Sequence, residues 1–485
     1  MQYRFGKAVI DDWDAMSFVF INNNAPIDVA TRRRIREHAA TGKNVGRRHL
    51  NRGRRKLAQP STIEARAPAG EDVLEEVHIG SGPIDTFSLP PYSLPVARST
   101  PRLRRHVHNT FITFQKYASM PGLEYVVDLE ALRAPSIWTQ LVFTDEAYFH
   151  CTIAISILAT NRVAPVPEDI PDALGHVAKA IHLLNSRLSK GTDDAVSDQN
   201  IATIVSMAKY EFAAGHSREG HIHLDGLHRM VQLRGGIAAM TRKDATFTQK
   251  IFRVDFDWAL FLGTATRYAV DDVLLNSQDI IGPTEHGEED MESHVPAPLL
   301  GQLKPELRSL LIDTAQFGRM ITATASRSNK IRIDTLHCHL MLLGYRLIQV
   351  CPLSRPLLDN RIDKAMHAGM IMFIMTFLGI GGRVIENPFL PQLVIAVLHD
   401  FGGGHRFDGR VLDEALLWVL LMANAAKLMG PSDEDWFMPS LQHLSARLGL
   451  EAWEDAAPVV SKFPWVASLH DGPACSLWQR LLRTS

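Results

Sequence analysis

"HLDGLHRMVQLRGGI", His223 to Ile237, is the stretch on which the fold turns. Leu227, Met230 and Val231 recur at spacings of three and four, which sets them on one side of a helix and gives that helix a face to bury. Arg234 extends the same row with a charge, and Gly235 and Gly236 follow, residue types that supply the left-handed backbone at which a helix stops. The same texture continues in both directions. "RRHVHNTFITFQKYA" places Val107, Phe111, Phe114 and Ala118 in a helical row, and comparable rows run through "EAYFHCTIAISILATNRV", "DALGHVAKAIHLLNSRL", "NIATIVSMAKYEF", "RIDTLHCHLMLLGYRLIQV", "DEALLWVLLMANAAKLM" and "PSLQHLSARLGL". Breaks at Pro167, Pro171, Gly191, Gly215, Pro283, Pro352, Pro356, Gly382 and Pro431 separate them. Alternating β patterns and internal repeats are absent. The expected fold is all-α, an irregular multi-helix bundle or solenoid-like body over residues 102–485, with an acidic Pro/Gly-bearing loop near 276–302 between two helical halves.

The chain has 485 residues, of which 46% are apolar and 21% charged, the balance of a globular protein. Its four cysteines, Cys151, Cys338, Cys351 and Cys475, are too scattered for a disulfide framework or a paired-cysteine zinc site, and suit a reducing compartment. The acids Asp11, Asp12 and Asp14 occupy the place where a signal peptide needs an apolar run. "AMHAGMIMFIMTFLGIGG", Ala365 to Gly382, carries no formal charge over 18 residues, long enough to span a bilayer. His367, the glycines at its end and its amphipathic neighbours make a helix buried on all sides the favoured reading, and no membrane partner is expected. Its methionines read as core, with a ligand pocket between helices as the alternative.

Charge is distributed unevenly. From Arg32 to Lys56 the chain holds eleven basic residues, Arg32, Arg33, Arg34, Arg36, Lys43, Arg47, Arg48, Arg52, Arg54, Arg55 and Lys56, against the single acid Glu37, a net of +10. The remainder has 40 basic and 52 acidic residues, a net of −12. Such an asymmetry points to an acidic partner. Asp28 is placed to cap a short helix over 29–40, on which the cations surround most of the surface and leave no stripe to bury. Residues 1–56 therefore read as a basic arm with one apolar patch, Met16 to Ile21. Residues 57–101 contain seven prolines and read as an extended linker.

Catalytic patterns do not assemble. "GHSREG", Gly215 to Gly220, misses the spacing of a nucleophile elbow, and "FGGGHRFDG", Phe401 to Gly409, lacks the Lys-Ser/Thr of a phosphate loop and reads as a turn between helices. On a helix His221, Asp225 and His228 share a side, whereas His223 points about 160° away from His221 and leaves the set. His337, Cys338 and His339 are adjacent and diverge, as do the acid pairs Asp145/Glu146 and Asp271/Asp272. No metal ligand, cofactor or catalytic residue is assigned, and the chain is not expected to be an enzyme.

Several motifs are similar to those of a fungal family. Phe18, Phe20, Ile21 and Asn22, then Arg32, Ile35, Arg36 and His38, then Arg47, Arg48, Arg54 and Arg55 resemble an F-x-F-I/V-N motif followed by R-x-x-I-R-x-H and a basic run. "GSGPIDTF", Gly80 to Phe87, is similar to G-x-G-x-x-D-P-F, with Thr86 in place of proline. "HLDGLHRMVQLRGGI" resembles H-x-x-G-L-x-x-M-V-x-x-R-G-G, and "RVDFDWALFLG" (Arg253, Asp255, Ala259) the helix after it. Together these resemble the fungal-specific transcription factor domain family, family-two type. Many members carry a six-cysteine binuclear zinc cluster before this domain; no cysteine precedes Cys151 here, so the zinc cluster is expected to be absent.

The resemblance implies a nuclear transcription regulator of a metabolic or biosynthetic pathway. Its helical body would bind protein partners or an effector, and its basic arm would engage an import receptor or the DNA phosphate backbone. Such contacts position a protein without choosing a sequence. A homodimer is compatible with such a body. The alternative is a helical scaffold or effector-binding protein that binds no DNA, its basic segment docked on its own acidic remainder.

Overall fold

A computed structural model describes residues 94–96, 100–118, 122–123, 126–128, 136–163, 165–189, 193–281, 295–325, 330–355, 358–378, 387–402, 409–428 and 434–484. The arm, most of the linker and the short helix expected over 29–40 lie outside them, as do residues 403–408 of the expected glycine-rich turn.

Helix ends form where side chains can satisfy free backbone groups. Ser136 accepts from the Thr139 N–H at 3.2 Å, starting α2 (Ile137–Thr144) after α1 (Pro101–Ala118). Asp145 ends α2 and accepts from the Tyr148 N–H at 2.8 Å in the first turn of α3 (Glu146–Val163). Next come α4 (Ile170–Leu188), α5 (Asp198–Ala214, capped by Ser197) and α6 (Ser217–Leu233). Asp244 separates α7 (Ile237–Lys243) from α8 (Ala245–Leu262) and accepts from the Phe247 N–H at 2.9 Å. The chain continues through α9 (Val270–Ile281), α10 (Ala297–Leu300), α11 (Pro305–Ala325), α12 (Ile333–Val350), α13 (Arg361–Leu378) and α14 (Leu390–Gly402). It closes with α15 (Arg410–Ala425), α16 (Glu434–Leu448), α17 (Trp453–Val460) and α18 (Ala467–Thr484).

The fold is all-α, as expected. The described strands are two residues each: Val127–Asp128 pairs in parallel with Ile331–Arg332, Val127 opposite Ile331, and fastens the chain before α2 to the start of α12. A pairing this short leaves no periodic trace in the sequence.

Packing proceeds in three overlapping groups. Helices α1 and α4 flank α3, which also packs on α5, and α5 packs on α6. Helix α8 joins this group to α7, α9 and α12, and α12 leads on to α11 and α13. Helix α13 then packs against α14 and α15, and α15 against α16, α17 and α18. Every residue from Ala365 to Met375 is buried, so the uncharged stretch forms a central helix; residues 379–382 of it lie outside the described set. Met366, Met370, Met372 and Met375 are all core. Among the described residues no single helix is long and apolar enough to cross a membrane. Close approach depends on glycine at Gly369, where a Cβ would stand 2.3 Å from the Trp418 ring.

The stretch 276–302, expected as an acidic loop, is helical at 276–281 and 297–300. Residues 276–281 complete α9, and Asn276 is buried, its amide donating to the Ala245 carbonyl at 2.7 Å. Residues 297–300 form α10, and 282–294 lie outside the described residues. The polar composition of 276–281 suggested loop, but Asn276 finds its partner across the fold, which outweighs composition.

Candidate functional site

The eleven basic residues from Arg32 to Lys56 lie outside the described residues. The motif helix and its neighbours are described in full. On α6, Leu224, Leu227, Met230 and Val231 are buried, and Arg234 reaches the Asp198 carboxylate at the start of α5. Gly235 and Gly236 have φ of 92° and 90°, the conformation that ends the helix.

His221 and Asp225, the pair that a metal would use, face the same guanidinium. Arg267 Nη2 lies 2.9 Å from Asp225 Oδ1 and 3.3 Å from His221 Nδ1. The position between them is filled by a cation of the protein itself, and Asp225 is exposed. His228 packs instead on the Tyr268 ring at 5.6 Å, and His223 is buried on the other side of the helix. His337, Cys338 and His339 diverge likewise: the Gln249 amide contacts Cys338, and His339 packs on Phe317.

Arg267 has a second role through its backbone. Its N–H donates to Asp255 Oδ2 at 2.9 Å, and the Tyr345 hydroxyl donates to the same oxygen at 2.9 Å. Asp255 is 1% exposed. Burial raises its carboxyl to about 6, with the Tyr345 hydroxyl and the Arg267 contacts pulling the other way. The network joins α8, α12 and the turn after α8. Arg253, the other charged motif residue on α8, donates to Asp257 at 2.7 Å and to the Leu378 carbonyl at the end of α13 at 2.8 Å. The motif's charged side chains thus hold helices together.

Two further polar clusters lie nearby in the first group of helices. Glu211, 3% exposed, meets His216 Nδ1 at 2.8 Å and His223 Nε2 at 3.8 Å. Burial acts to raise its carboxyl, but the two histidines outweigh burial and hold it low, while the bond to Glu211 raises His216. On α3 and α4, His150 Nδ1 and His176 Nδ1 stand 2.6 Å apart, so one ring donates to the other and the accepting ring is neutral. Burial lowers each to about 4, aided by the charge of Lys179 on His150 and by His150 on His176.

A cleft of about 200 Å³ opens where α1 and α3 meet the turn 167–169, lined by Arg105, His106, Asn109, Ser156, Asn161 and Asp169 among others. His106, Asp169 and Asp172 bring potential ligand atoms within 4.8 Å of one another. Arg102 pairs with Asp172 and Arg105 with Asp169, and His106 Nε2 meets Asp172 at 2.8 Å. Two guanidiniums already neutralise the two carboxylates, so a metal ion would have to displace them.

Two features were not read from the sequence. The Arg267 contacts tie α6 to a residue beyond the helical motifs, and only an isolated basic residue before Tyr268 could have signalled them. The neutral histidine pair gave no signal, because its members lie on different helices.

Residues 125–266 match the family model of the fungal specific transcription factor domain. The match spans α2 to α8, including the motif helix, and ends one residue before Arg267. No curated protein and no solved structure matches the chain.

Proposed function

We propose that the chain whose residues 125–266 carry the fungal specific transcription factor domain is a nuclear regulator of transcription for a metabolic or biosynthetic pathway. The helical body binds protein partners or an effector. The segment from Arg32 to Lys56 provides nuclear import, contact with DNA phosphates, or both. The family match carries the reading, and the +10 charge of the segment supports the role given to it.

Deletion of residues 32–56 tests it. Nuclear accumulation should fall, and binding to duplex DNA should lose its salt dependence, since each phosphate neutralised adds about −0.9 to the slope of log affinity against log salt. Unchanged localisation together with unchanged duplex binding would remove the arm from the proposal. The charge of −12 outside the segment favours a second reading, in which the segment docks on the protein itself and no DNA is bound. Compaction that is lost on adding salt, without any duplex binding, is its signature.

A further inference from the structure

A hydroxyl without a partner lies in the cleft between α1, α3 and the turn 167–169. Ser156 is 2% exposed, and its Oγ is buried without a hydrogen bond. A serine inside a helix can satisfy itself by donating to the carbonyl four residues before it. Thr152, four residues earlier on α3, does so, its hydroxyl 2.9 Å from the Tyr148 carbonyl. Ser156 forgoes that bond and lines the cleft. Leaving a buried hydroxyl unpaired is costly, and a group bound in the cleft removes the cost. The cleft holds about 200 Å³, several times the share of one water in the liquid, about 30 Å³. An apolar cavity of roughly 150 Å³ admits benzene, so this space suits a small organic molecule.

The other lining groups define what that molecule must offer. Asn161 Nδ2 donates to the Val166 carbonyl at 2.6 Å, which fixes the amide and leaves its Oδ1 to accept. Asn109, half-buried on α1, has no side-chain hydrogen bond among the described residues. The ionised pair on the walls is balanced, since Arg105 is engaged with Asp169. An anion would have to draw Arg105 from Asp169, and a cation would have to draw Asp169 away from Arg105. What remains open is uncharged: a hydroxyl that donates and accepts, an amide that does both, and a carbonyl oxygen that accepts. Ile157 and Val166 add apolar contact between these groups.

We propose that this cleft binds a small uncharged polyol, a sugar or sugar alcohol of up to six carbons. Hydroxyl groups donate and accept at once, which matches the mixed set formed by Ser156, Asn109 and Asn161. A carboxylate only accepts and an ammonium only donates, so each would leave part of the set unpaired. The inference gives a chemical class to the effector in the function proposed above and rests on that reading only for its regulatory meaning. Binding itself is measured on the isolated protein, so its failure leaves the tests of the arm untouched.

The experiment applies saturation-transfer NMR to the purified full chain with D-xylose, D-glucose and D-mannitol in separate titrations, and with sodium gluconate as a charged counterpart of glucose. A melting-temperature shift would not serve, because polyols stabilise proteins generally by exclusion from their surface. At least one of the three neutral polyols should receive saturation with a titratable affinity. Ser156→Ala and Asn109→Ala should each weaken that binding about three- to tenfold, the loss of one neutral hydrogen bond. Circular dichroism confirms that both variants are folded, and removing the unpaired Ser156 hydroxyl should leave the protein at least as stable as wild type. No saturation of any of the three, or equal affinity in wild type and both variants, would overturn the proposal. Tighter binding of gluconate than of glucose would overturn the uncharged class.

Discussion

The Tyr345 hydroxyl carries more of the motif region than its one oxygen suggests. It donates to Asp255 at 2.9 Å, and the Arg267 N–H donates to the same carboxylate, while Arg267 reaches out to Asp225 and His221 on α6. Tyr345→Phe leaves Asp255 buried with one donor fewer, and should cost about 1–3 kcal/mol, the penalty for an under-satisfied buried polar group. It should also raise the Asp255 pKa above its present value of about 6, since a donor to the charged form is removed. Urea unfolding measures the first and carboxyl NMR the second; an unchanged denaturation midpoint would mean that water replaces the phenol. The sequence showed Asp255 as a motif position, but not its partner. Tyr345 lies in a different helix, and nothing in the spacing of either residue announces the other.

At the scale of the element, the motif helix was legible because its information is local. The row Leu227, Met230, Val231 is buried as its spacing implied, and the two glycines end the helix with positive φ. Gly236, at φ 90° and ψ 166°, lies in a region of backbone essentially reserved for glycine. A Cβ there would meet no atom within 4 Å, so any cost of Gly236→Ala is backbone strain alone. The substitution should destabilise the fold by about 1–3 kcal/mol, read from the shift of the unfolding midpoint with unchanged slope. A neutral result would show that the turn between α6 and α7 relaxes without loss. Where local information misled, at 276–281, the side chain of Asn276 finds its partners at Ala245 and Thr248, outside its own segment.

The whole molecule titrates in ways that no single element does. His150 and His176 fall from 6.5 to about 4, so between those limits the unfolded chain binds protons that the folded chain refuses. Stability therefore decreases as pH is lowered from 6.5 towards 4. Asp255 acts in the opposite sense over part of this range, because its raised carboxyl takes up a proton more readily when folded. The pair is isolated by comparison: His150→Asn keeps polar atoms near Nδ1 without a proton to gain, and should flatten this acid limb. On the alkaline side Lys250 is lowered from 10.5 to about 7, so stability should rise with pH across that interval, and Lys250→Met should remove its share of the rise. Equal slopes in wild type and variant on either limb would remove that residue from the account.

Helical periodicity, helix stops, the buried stretch around Met370 and the concentration of cations between Arg32 and Lys56 were all settled by the order of the amino acids. Each is a property of neighbouring residues, and a helix brings neighbours together in a known way. The tertiary structure alone decided that Arg267 enters between His221 and Asp225 and that two histidines meet nitrogen to nitrogen. These meetings join separate helices, and which helices meet depends on how the whole apolar surface is buried, a quantity that no single segment contains.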